Sequence, residues 1–466
     1  MMKKAFCVHG HFYQPPRENP FTGEIPQENG AAPYRNWNER IFDQCYRPNI
    51  ELGNFKRISF DIGPTLAEWI AKEYPEDLED LIAQENSVYE TYGVSNGMAQ
   101  SYNHTILPLA SYEDKVTQIH WGILDFEYHF GHKPLGLWMP ETAVDLETLS
   151  VMADEGIEFT IMAPWQAKKK DGPDCSVPYW VDLPNGKRIA AFFYDAALSS
   201  HVSFDPDATV NADDFLRNKI LPTLPGKARN GHLSIIASDG ELYGHHQPFR
   251  DRFLEWLTTG ALEGQPIECT FPALWLKRFP PTKTIKIREK TSWSCHHGVK
   301  RWATVCDCAE HGEWKSHMRH IFNRIAGVVD TEMQAALDPY KMDLLAFRNE
   351  YIHVLTGEET EKEQVERLLG KISPEETETM IKWMHAQYER QRMFTSCGWF
   401  FGDFERIEAR NNIAYAAMAL SLVEELTGNT YYRKQIYRAL TQVKSATTGV
   451  RASTIFQNIL ELAGKE

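Results

Sequence analysis

Two acidic side chains follow apolar, strand-like runs of the sequence, at the point where each run ends. The run 135–139 leads into Glu141, and the run 233–237 leads into Asp239. A carboxyl group in such a place can act as a general acid, a general base or a nucleophile. Trp138 gives Glu141 an apolar neighbour, and apolar surroundings change the pKa of a carboxyl group. We also predict Trp138 as a substrate-binding residue. The pattern predicts Glu141 and Asp239 as a pair of working carboxylates.

The second acid belongs to a dense polar segment, residues 238–246, which reads Ser-Asp-Gly-Glu-Leu-Tyr-Gly-His-His. Its glycines permit a tight turn and the close approach of a ligand. An ordinary polar turn after a strand is the alternative, but many ionisable side chains crowd into these few positions. We therefore predict Glu241, His245 and His246 as substrate-binding residues beside the acid.

A pair of histidines, His9 and His11, follows the first apolar run at 5–8, and Gln14 comes shortly afterwards. Such side chains either hydrogen-bond to sugar hydroxyls or coordinate a metal ion. A metal site would need ligands from other strands, and the spacing does not select among Asp61, Asp195, His245 and His246. We predict His9, His11 and Gln14 as substrate-binding residues, with no metal ligand and no cofactor.

A fourth segment is rich in cysteine, histidine and tryptophan. It reads Ser-Trp-Ser-Cys-His-His-Gly over 292–298, and Trp302, Cys306 and Cys308 follow. The density of thiols and imidazoles suggests zinc, but the spacing is not a repeated Cys-x-x-Cys pair. The interpretation we favour is a loop that covers the mouth of a barrel and presents Trp293 and Trp302 to a ligand.

The elements that position these residues alternate between strands and helices up to about residue 290. Alternation of this kind predicts a parallel sheet, and no Gly-x-Gly-x-x-Gly follows the first strand to indicate a dinucleotide site. A closed or nearly closed β/α barrel, of class α/β, explains why polar residues follow the strands, since barrel enzymes carry their chemistry there. The predicted strands are 5–8, 57–62, 135–139, 159–163, 189–194, 233–237 and 284–287.

The character of the chain changes after about residue 310, where apolar positions recur with helical spacing. We predict a catalytic β/α barrel over 1–305 and a C-terminal α-helical bundle domain over 306–466. The predicted helices of this second domain are 314–337, 344–355, 361–369, 374–394, 407–426 and 432–443.

Composition narrows the class of partner. The chain has 466 residues with a formal net charge of -15, and so much negative charge repels the phosphates of nucleic acid. No run approaches the roughly 18 apolar residues of a membrane-spanning helix. Eight dispersed cysteines are typical of reduced thiols in the cytoplasm. We predict a cytoplasmic protein with a carbohydrate substrate and no nucleic-acid or membrane partner; its oligomeric state stays open.

With these residues identified, the sequence resembles glycoside hydrolase family 57. The segments that carry the resemblance are His11 to Pro15, Asn103-His104-Thr-Ile-Leu-Pro-Leu, Trp138-Met-Pro-Glu141 and Asp239-Gly-Glu-Leu-Tyr-Gly244, and the stretch 292–302 lies where a fifth motif is expected. The C-terminal half is similar to a bacterial subgroup of the family whose corresponding region has no assigned role.

The resemblance implies a seven-stranded β/α barrel that acts on α-glucans, retains the anomeric configuration and requires no cofactor. It implies Glu141 as the nucleophile and Asp239 as the general acid/base. His11, Gln14, His104 and His246 are then candidate ligands of sugar hydroxyls, and Trp293 and Trp302 are candidate stacking surfaces.

Three alternatives remain beside hydrolysis. Transfer of the glycosyl group to an acceptor sugar would make the protein a glucanotransferase or branching enzyme. A metal-dependent carbohydrate deacetylase would hold a divalent ion through His9, His11 or the His245–His246 pair. A non-catalytic glycan-binding protein would keep the barrel without the chemistry.

Overall fold

The computed structural model describes residues 4–224 and 231–464. Within it the chain divides into two compact units. The first comprises Met1–Gln14, Gln27–Tyr102 and Gly122–Ser294, and the second comprises Pro15–Pro26, Asn103–Trp121 and Cys295–Glu466. The boundary after residue 305 stays a prediction.

The first unit contains two sheets of mainly parallel strands. The strands are β1 (Lys4–Phe12), β2 (Ser59–Ile62), β3 (Gly97–Gln100), β4 (Leu137–Trp138), β5 (Phe159–Met162), β6 (Tyr179–Asp182), β7 (Arg188–Phe193), β8 (His232–Asp239) and β9 (Glu268–Cys269). One sheet has the order β4-β3-β2-β1-β8, with β9 also pairing with β1, and the other has the order β5-β7-β6. All pairs are parallel except β6 with β7.

Backbone hydrogen bonds join the two sheets at both edges. Gly136, just before β4, forms a parallel bridge with Phe159 of β5. Beyond the end of β7, the Asp195 amide donates to the carbonyl of Ile235 in β8 over 2.8 Å. The ring therefore runs through β1, β2, β3, β4, β5, β7 and β8, which confirms the predicted α/β class with a curled parallel sheet.

The central strand β1 explains the register of the site. Its residues Ala5, Phe6 and Cys7 are fully buried, as expected of a parallel strand covered on both faces. Because β1 pairs with β2 on one side and β8 on the other, His11 lies opposite both Asp61 and Asp239.

Helices cover the sheet in the first unit and build the second unit. Those of the first unit are Trp37–Ile41, Arg47–Glu51, Pro64–Glu73, Pro75–Tyr92, Leu146–Asp154, Ala196–Phe204, Ala212–Phe215, Arg250–Leu257 and Pro272–Arg278. Tyr112–Phe130 is shared between the units. Those of the second are Lys300–Ala303, Trp314–Leu337, Leu344–Asn349, Ile352–Leu355, Glu361–Leu369, Pro374–Arg392, Cys397–Phe400, Ile407–Thr427, Tyr431–Leu440 and Ala452–Leu462. The helical C-terminal region is thus confirmed.

Several elements differ between prediction and structure: β6 and β9 were not predicted, and the predicted helix 344–355 is divided into Leu344–Asn349 and Ile352–Leu355. The segment 284–287 is no strand, and only isolated bridges at Thr284 and Ile287 pair it. Conversely, Gly97–Gln100 forms β3 although the sequence analysis assigned no strand there. Among the described residues no helix is long and apolar enough to cross a membrane. No disulfide joins any of the eight cysteines, all of which lie in the described ranges.

Candidate active site

Asp61 organises the polar end of β1. Its carboxylate lies 3.1 Å from His9 Nε2 and 2.8 Å from His11 Nδ1, and it accepts a hydrogen bond from Gln100 Nε2 over 2.7 Å. The other ring nitrogen of His9 lies 3.0 Å from Ser59 Oγ. Parallel strands β1, β2 and β3 thus bring these side chains into one network. Sequence reasoning named Asp61 only as a possible metal ligand and missed Gln100.

This network separates the charges of the two histidines. Burial lowers the pKa of His9, which favours the neutral ring. Burial also opposes the charge on His11, but the Asp61 carboxylate, with smaller contributions from Asp239 and Glu241, raises the pKa of His11 to about 9. Burial tends to raise the pKa of Asp61, but the charges of His11 and His9 and their hydrogen bonds to the carboxylate outweigh burial, and the pKa of Asp61 is lowered. The site therefore contains a His11 cation at neutral pH.

Glu141 is fixed by the residues that follow Thr291. Trp293 Nε1 donates to Glu141 Oε2 over 3.0 Å, and Ser294 Oγ donates to the same oxygen over 2.6 Å. The Glu141 backbone is left-handed, with φ 57° and ψ 21°. That conformation strains a residue with a Cβ, and such strain is often found where a side chain must point in one direction. Sequence reasoning missed Ser294, since an exposed serine carries no signal of its own.

The pKa values of both candidate carboxyls are raised by burial, and the two carboxyls differ in the hydrogen bonds and charges that add to or oppose this effect. Burial is the main cause for Glu141, the Asp239 charge adds to it, and the hydrogen bonds from Ser294 and Trp293 oppose it. Burial is also the main cause for Asp239, opposed by the charges of His11 and His246 and reinforced by Glu241. The Asp239 side chain is nonetheless accessible to solvent. Water therefore reaches the carboxyl from one side while protein surrounds it on the others.

Glu241 is held by the protein. Tyr46 Oη donates to Glu241 Oε1 over 2.6 Å, and the Tyr13 amide donates to the same oxygen over 3.2 Å. Gln14 Nε2 in turn donates to Tyr46 Oη over 3.0 Å. Glu241 and Gln14 therefore fix the segment after β1. If they also bind a substrate, they do so with side chains that already form these hydrogen bonds. Tyr46 was not predicted, because nothing in its surrounding sequence marks it.

The histidine pair after β8 divides into an anchored and an exposed residue. His245 Nδ1 lies 2.8 Å from Gln44 Oε1, whereas the His246 side chain is exposed and acts electrostatically on Asp239. Gly244 permits this turn, since a Cβ there would lie 2.3 Å from the Gln44 carbonyl oxygen. His246 is thus the member of the pair that is available to a ligand.

The predicted tryptophans occupy different positions. Trp138 is fully buried and stacks on His9 and His11, with ring centroids 4.7 and 5.4 Å apart. Trp293 is half-buried and meets Trp138 edge to face at 5.0 Å. Trp302 belongs to the second unit, is fully buried and packs against Phe400, and its stacking on a sugar stays a prediction.

His104 also belongs to the second unit. Its Nδ1 lies 2.6 Å from Ser396 Oγ, its side chain is buried, and its backbone is left-handed with φ 52°. The structure therefore assigns it contacts within that unit, and its predicted role in substrate binding stays a prediction.

A metal-dependent deacetylase needs ligands that converge on one point. Among the described residues, the group of three or more His, Cys, Asp or Glu donors that converge is Cys295, His297, Cys306 and Cys308, in the second unit. His9 and His11 are instead engaged with Asp61, and Asp195 caps a helix by accepting from the amides of Ala197 and Leu198. Within residues 4–224 and 231–294, the described part that includes the first unit, no comparable ligand set converges.

Comparison with known proteins gives two regions of similarity in the sequence. Residues 8–288, more than half of the chain, match the sequence model of glycosyl hydrolase family 57. Residues 311–463 match that of a domain of unknown function, DUF3536. The first match contains Glu141 and Asp239.

Two curated relatives are α-amylases. α-Amylase 1 of Dictyoglomus thermophilum is 26% identical over 216 residues, which are 44% of this chain and 29% of the relative. The α-amylase of Pyrococcus horikoshii is 23% identical over 214 residues, 44% of this chain and 31% of the relative. The chain thus spans less than a third of the curated relatives that it matches.

Solved structures share the fold at low sequence identity. An exo-type maltose-forming amylase from Pyrococcus sp. ST04 has a TM-score of 0.74 at 16% identity, covering 98% of this chain and 88% of the other. A branching enzyme from Pyrococcus horikoshii has a TM-score of 0.62 at 15% identity, covering 99% and 95%. A 4-α-glucanotransferase from Thermococcus litoralis has a TM-score of 0.58 at 15% identity, covering 91% and 60%.

Proposed function

The chain belongs to glycosyl hydrolase family 57, and on that premise we propose that it is a retaining glycoside hydrolase or transglycosidase acting on α-glucan-like oligo- or polysaccharides through a covalent glycosyl-enzyme. The observation that carries the proposal is the unequal environment of two interacting carboxyls at strand ends, Glu141 and Asp239. Retaining enzymes need one ionised and one protonated carboxyl in the same site.

The hydrogen bonds assign the roles. Burial raises the pKa of both carboxyls, but Glu141 also accepts hydrogen bonds from Ser294 and Trp293 that stabilise its ionised form, whereas the other causes of the Asp239 shift are neighbouring charges. Pairs of acids whose environments push their pKa values apart divide into an ionised partner and an acid. We therefore assign Glu141 as the nucleophile and Asp239 as the proton donor.

The proposed reaction has two steps. Glu141 attacks the anomeric carbon while Asp239 gives its proton to the leaving glycosidic oxygen, so the bond to the leaving sugar breaks as the ester forms. Oε2 already accepts two hydrogen bonds, which makes Oε1 the attacking oxygen. Once Glu141 is a neutral ester, its repulsion of Asp239 ends. Asp239 then takes a proton from water or an acceptor sugar as the oxygen of that molecule attacks the anomeric carbon, which breaks the ester and releases the Glu141 carboxylate.

His11 supports both steps electrostatically. Its cation lowers the pKa of Glu141 and of Asp239, and Asp61 keeps it protonated. A positive charge fixed by a buried carboxylate holds its position as the charges of the two acids change. His11 is thereby a positioning and charge-stabilising residue beside the pair.

The state of the cysteines bears on the compartment in which the protein works. Several cysteines are buried thiols, and none of the described cysteines forms a disulfide. Such usage is typical of cytoplasmic proteins. We accordingly propose a cytoplasmic location and a carbohydrate partner.

The function is tested by incubating the purified protein with a panel of α-glucans that differ in linkage and chain length. Products are followed by chromatography, with and without an added acceptor such as maltose. Shorter oligosaccharides alone would identify a hydrolase, and elongated or branched products that depend on acceptor would identify a transglycosidase. No product from any glucan would contradict the proposal.

Ser294→Ala is expected to shift the acid limb of the pH profile of kcat/KM to higher pH. The Ser294 hydroxyl stabilises the ionised Glu141, so its loss raises the pKa of Glu141 further, and a nucleophile with a higher pKa becomes ionised only at higher pH. A hydrogen bond to a charged group contributes about 1.5 kcal/mol, which is a shift of about one pH unit.

The matched control is Ser200→Ala, which removes another exposed serine hydroxyl. Its acid limb should coincide with that of the wild-type protein. An unchanged limb in Ser294→Ala would show that the hydroxyl does not set the ionisation of Glu141.

A further inference from the structure

The segment between the two matched regions gathers four metal-ligand side chains. Cys295, His297, Cys306 and Cys308 each place one donor atom within 4.8 Å of all the others. The segment lies after residue 288, where one family match ends, and before residue 311, where the other begins. We propose that these four residues form a structural zinc site of the second unit.

The individual distances fit a tetrahedral ion. Cys295 Sγ and Cys306 Sγ are 3.4 Å apart, and His297 Nδ1 lies 3.4 Å from the sulfurs of both Cys306 and Cys308 and 3.9 Å from that of Cys295. With bonds of about 2.3 Å to sulfur and about 2.0 Å to nitrogen, a tetrahedral zinc ion separates its ligands by about 3.5 to 3.8 Å. The cluster is therefore already close to the size that zinc requires.

Two turns present the ligands in pairs. Gly298, with φ 65°, closes the first turn by donating its amide to the Cys295 carbonyl over 3.0 Å. The Ala309 amide closes the second by donating to the Cys306 carbonyl over 2.9 Å. Each turn supplies an inner, buried cysteine and an outer, exposed ligand two residues later. The ion would join the two turns across the short helix Lys300–Ala303.

The surroundings complement such an ion. Three thiolates, one neutral imidazole and Zn²⁺ have a net charge of about −1. The ammonium of Lys315 is fully buried and interacts electrostatically with Cys306 and Cys295. A buried cation is stabilised by a fixed negative charge nearby. Asp307 Oδ2 also lies 3.7 Å from His297 Nε2, the ring nitrogen that faces away from the thiols, so a carboxylate stands near the histidine ligand without a hydrogen bond to it.

All four positions of the site come from protein side chains, which is the arrangement of a structural zinc site and leaves no position for a substrate. Binding exchanges thiol protons for the ion, so zinc uptake releases protons to solvent. No redox step or additional reactant is involved. Without an ion, three thiols and an imidazole in contact could form only weak hydrogen bonds.

The test is metal stoichiometry of the full-length protein. The protein is reduced, stripped with a chelator, reconstituted with Zn²⁺ and assayed by elemental analysis, and Co²⁺ reports the ligands through the visible absorption of a tetrahedral thiolate complex. We expect one zinc ion per chain, a tetrahedral Co²⁺ spectrum, and a lower thermal unfolding temperature after stripping. Cys308→Ser and His297→Gln should each weaken zinc binding by at least about 100-fold, because each removes one of the four ligands. Both side chains are exposed, so we expect the variants to keep the packing of the wild type.

Matched controls separate the site from general thiol binding. Cys175→Ser removes a cysteine of the first unit, and His296→Gln removes the histidine beside His297; both should bind zinc as the wild type does. Substoichiometric zinc in the reduced, reconstituted wild type would overturn the proposal. The proposal would also be overturned if Cys308→Ser bound zinc as tightly as the wild type. A Cys295–Cys306 disulfide in the purified protein, with no uptake of metal after that disulfide is reduced, would overturn it too.

Discussion

Glu141→Gln is expected to reduce turnover of the preferred α-glucan by about four orders of magnitude or more, because an amide cannot form the glycosyl ester. The substitution keeps the size of the side chain and one oxygen that can accept the hydrogen bonds from Ser294 and Trp293. It also keeps a Cβ at the left-handed position, so the backbone strain is unchanged. The loss should therefore appear in kcat while the thermal unfolding temperature stays near that of the wild type.

The matched control is Glu158→Gln, which neutralises an exposed acid of the same unit. Its kcat/KM on the same glucan should equal that of the wild type. If Glu141→Gln retained activity within about tenfold of the wild type, Glu141 would not be the nucleophile, whatever the family of the chain.

Asp239→Asn is expected to separate the two steps of the reaction. With a glucan, whose leaving sugar needs a proton, loss of the acid should lower kcat by about 10²- to 10⁴-fold. With an α-glycosyl fluoride, whose leaving group needs no proton, the first step should proceed, and the variant should accumulate a glycosyl-enzyme because no base activates water. Intact-mass measurement would show the adduct, and peptide mapping would place it on Glu141.

Added azide sharpens this test. Azide needs no general base, so it should attack the anomeric carbon of the adduct, release the Glu141 carboxylate and give an α-glycosyl azide of retained configuration. Asp171→Asn, which neutralises an exposed aspartate, serves as the control and should behave as the wild type. Equal losses on glucan and fluoride, with neither adduct nor azide product, would argue against Asp239 as the acid/base.

The barrel followed from local features of the sequence. Apolar runs such as 233–237 end in ionisable residues, and helical periodicity predicted Trp314–Leu337 with the bounds that the structure has. These features are readable because burial on both faces makes a parallel strand uniformly apolar, and an amphipathic helix repeats its apolar positions. β3 escaped prediction, because Gly-Met-Ala-Gln contains no β-branched or aromatic residue to indicate a strand.

The partners of the site residues were less accessible to prediction. Asp61 stands in the sequence as one acid within an apolar strand, and only its pairing opposite His11 shows that it controls the charge of that histidine. Ser294 likewise acquires its role through a hydrogen bond to a residue 153 positions earlier. Contacts across such distances depend on how strands align and loops return, which spacing along the chain does not encode.

The sequence alone determined which side chains could do chemistry: two carboxylates at strand ends, and a segment dense in cysteine and histidine. The tertiary structure decided how each is used. It gave Glu141 two hydrogen-bond donors, buried Trp302 against Phe400, and placed His297 rather than His296 in the cluster with Cys295. The physical reason is that residue type sets the available chemistry, whereas pKa, exposure and ligand geometry depend on neighbours that only the folded chain brings together.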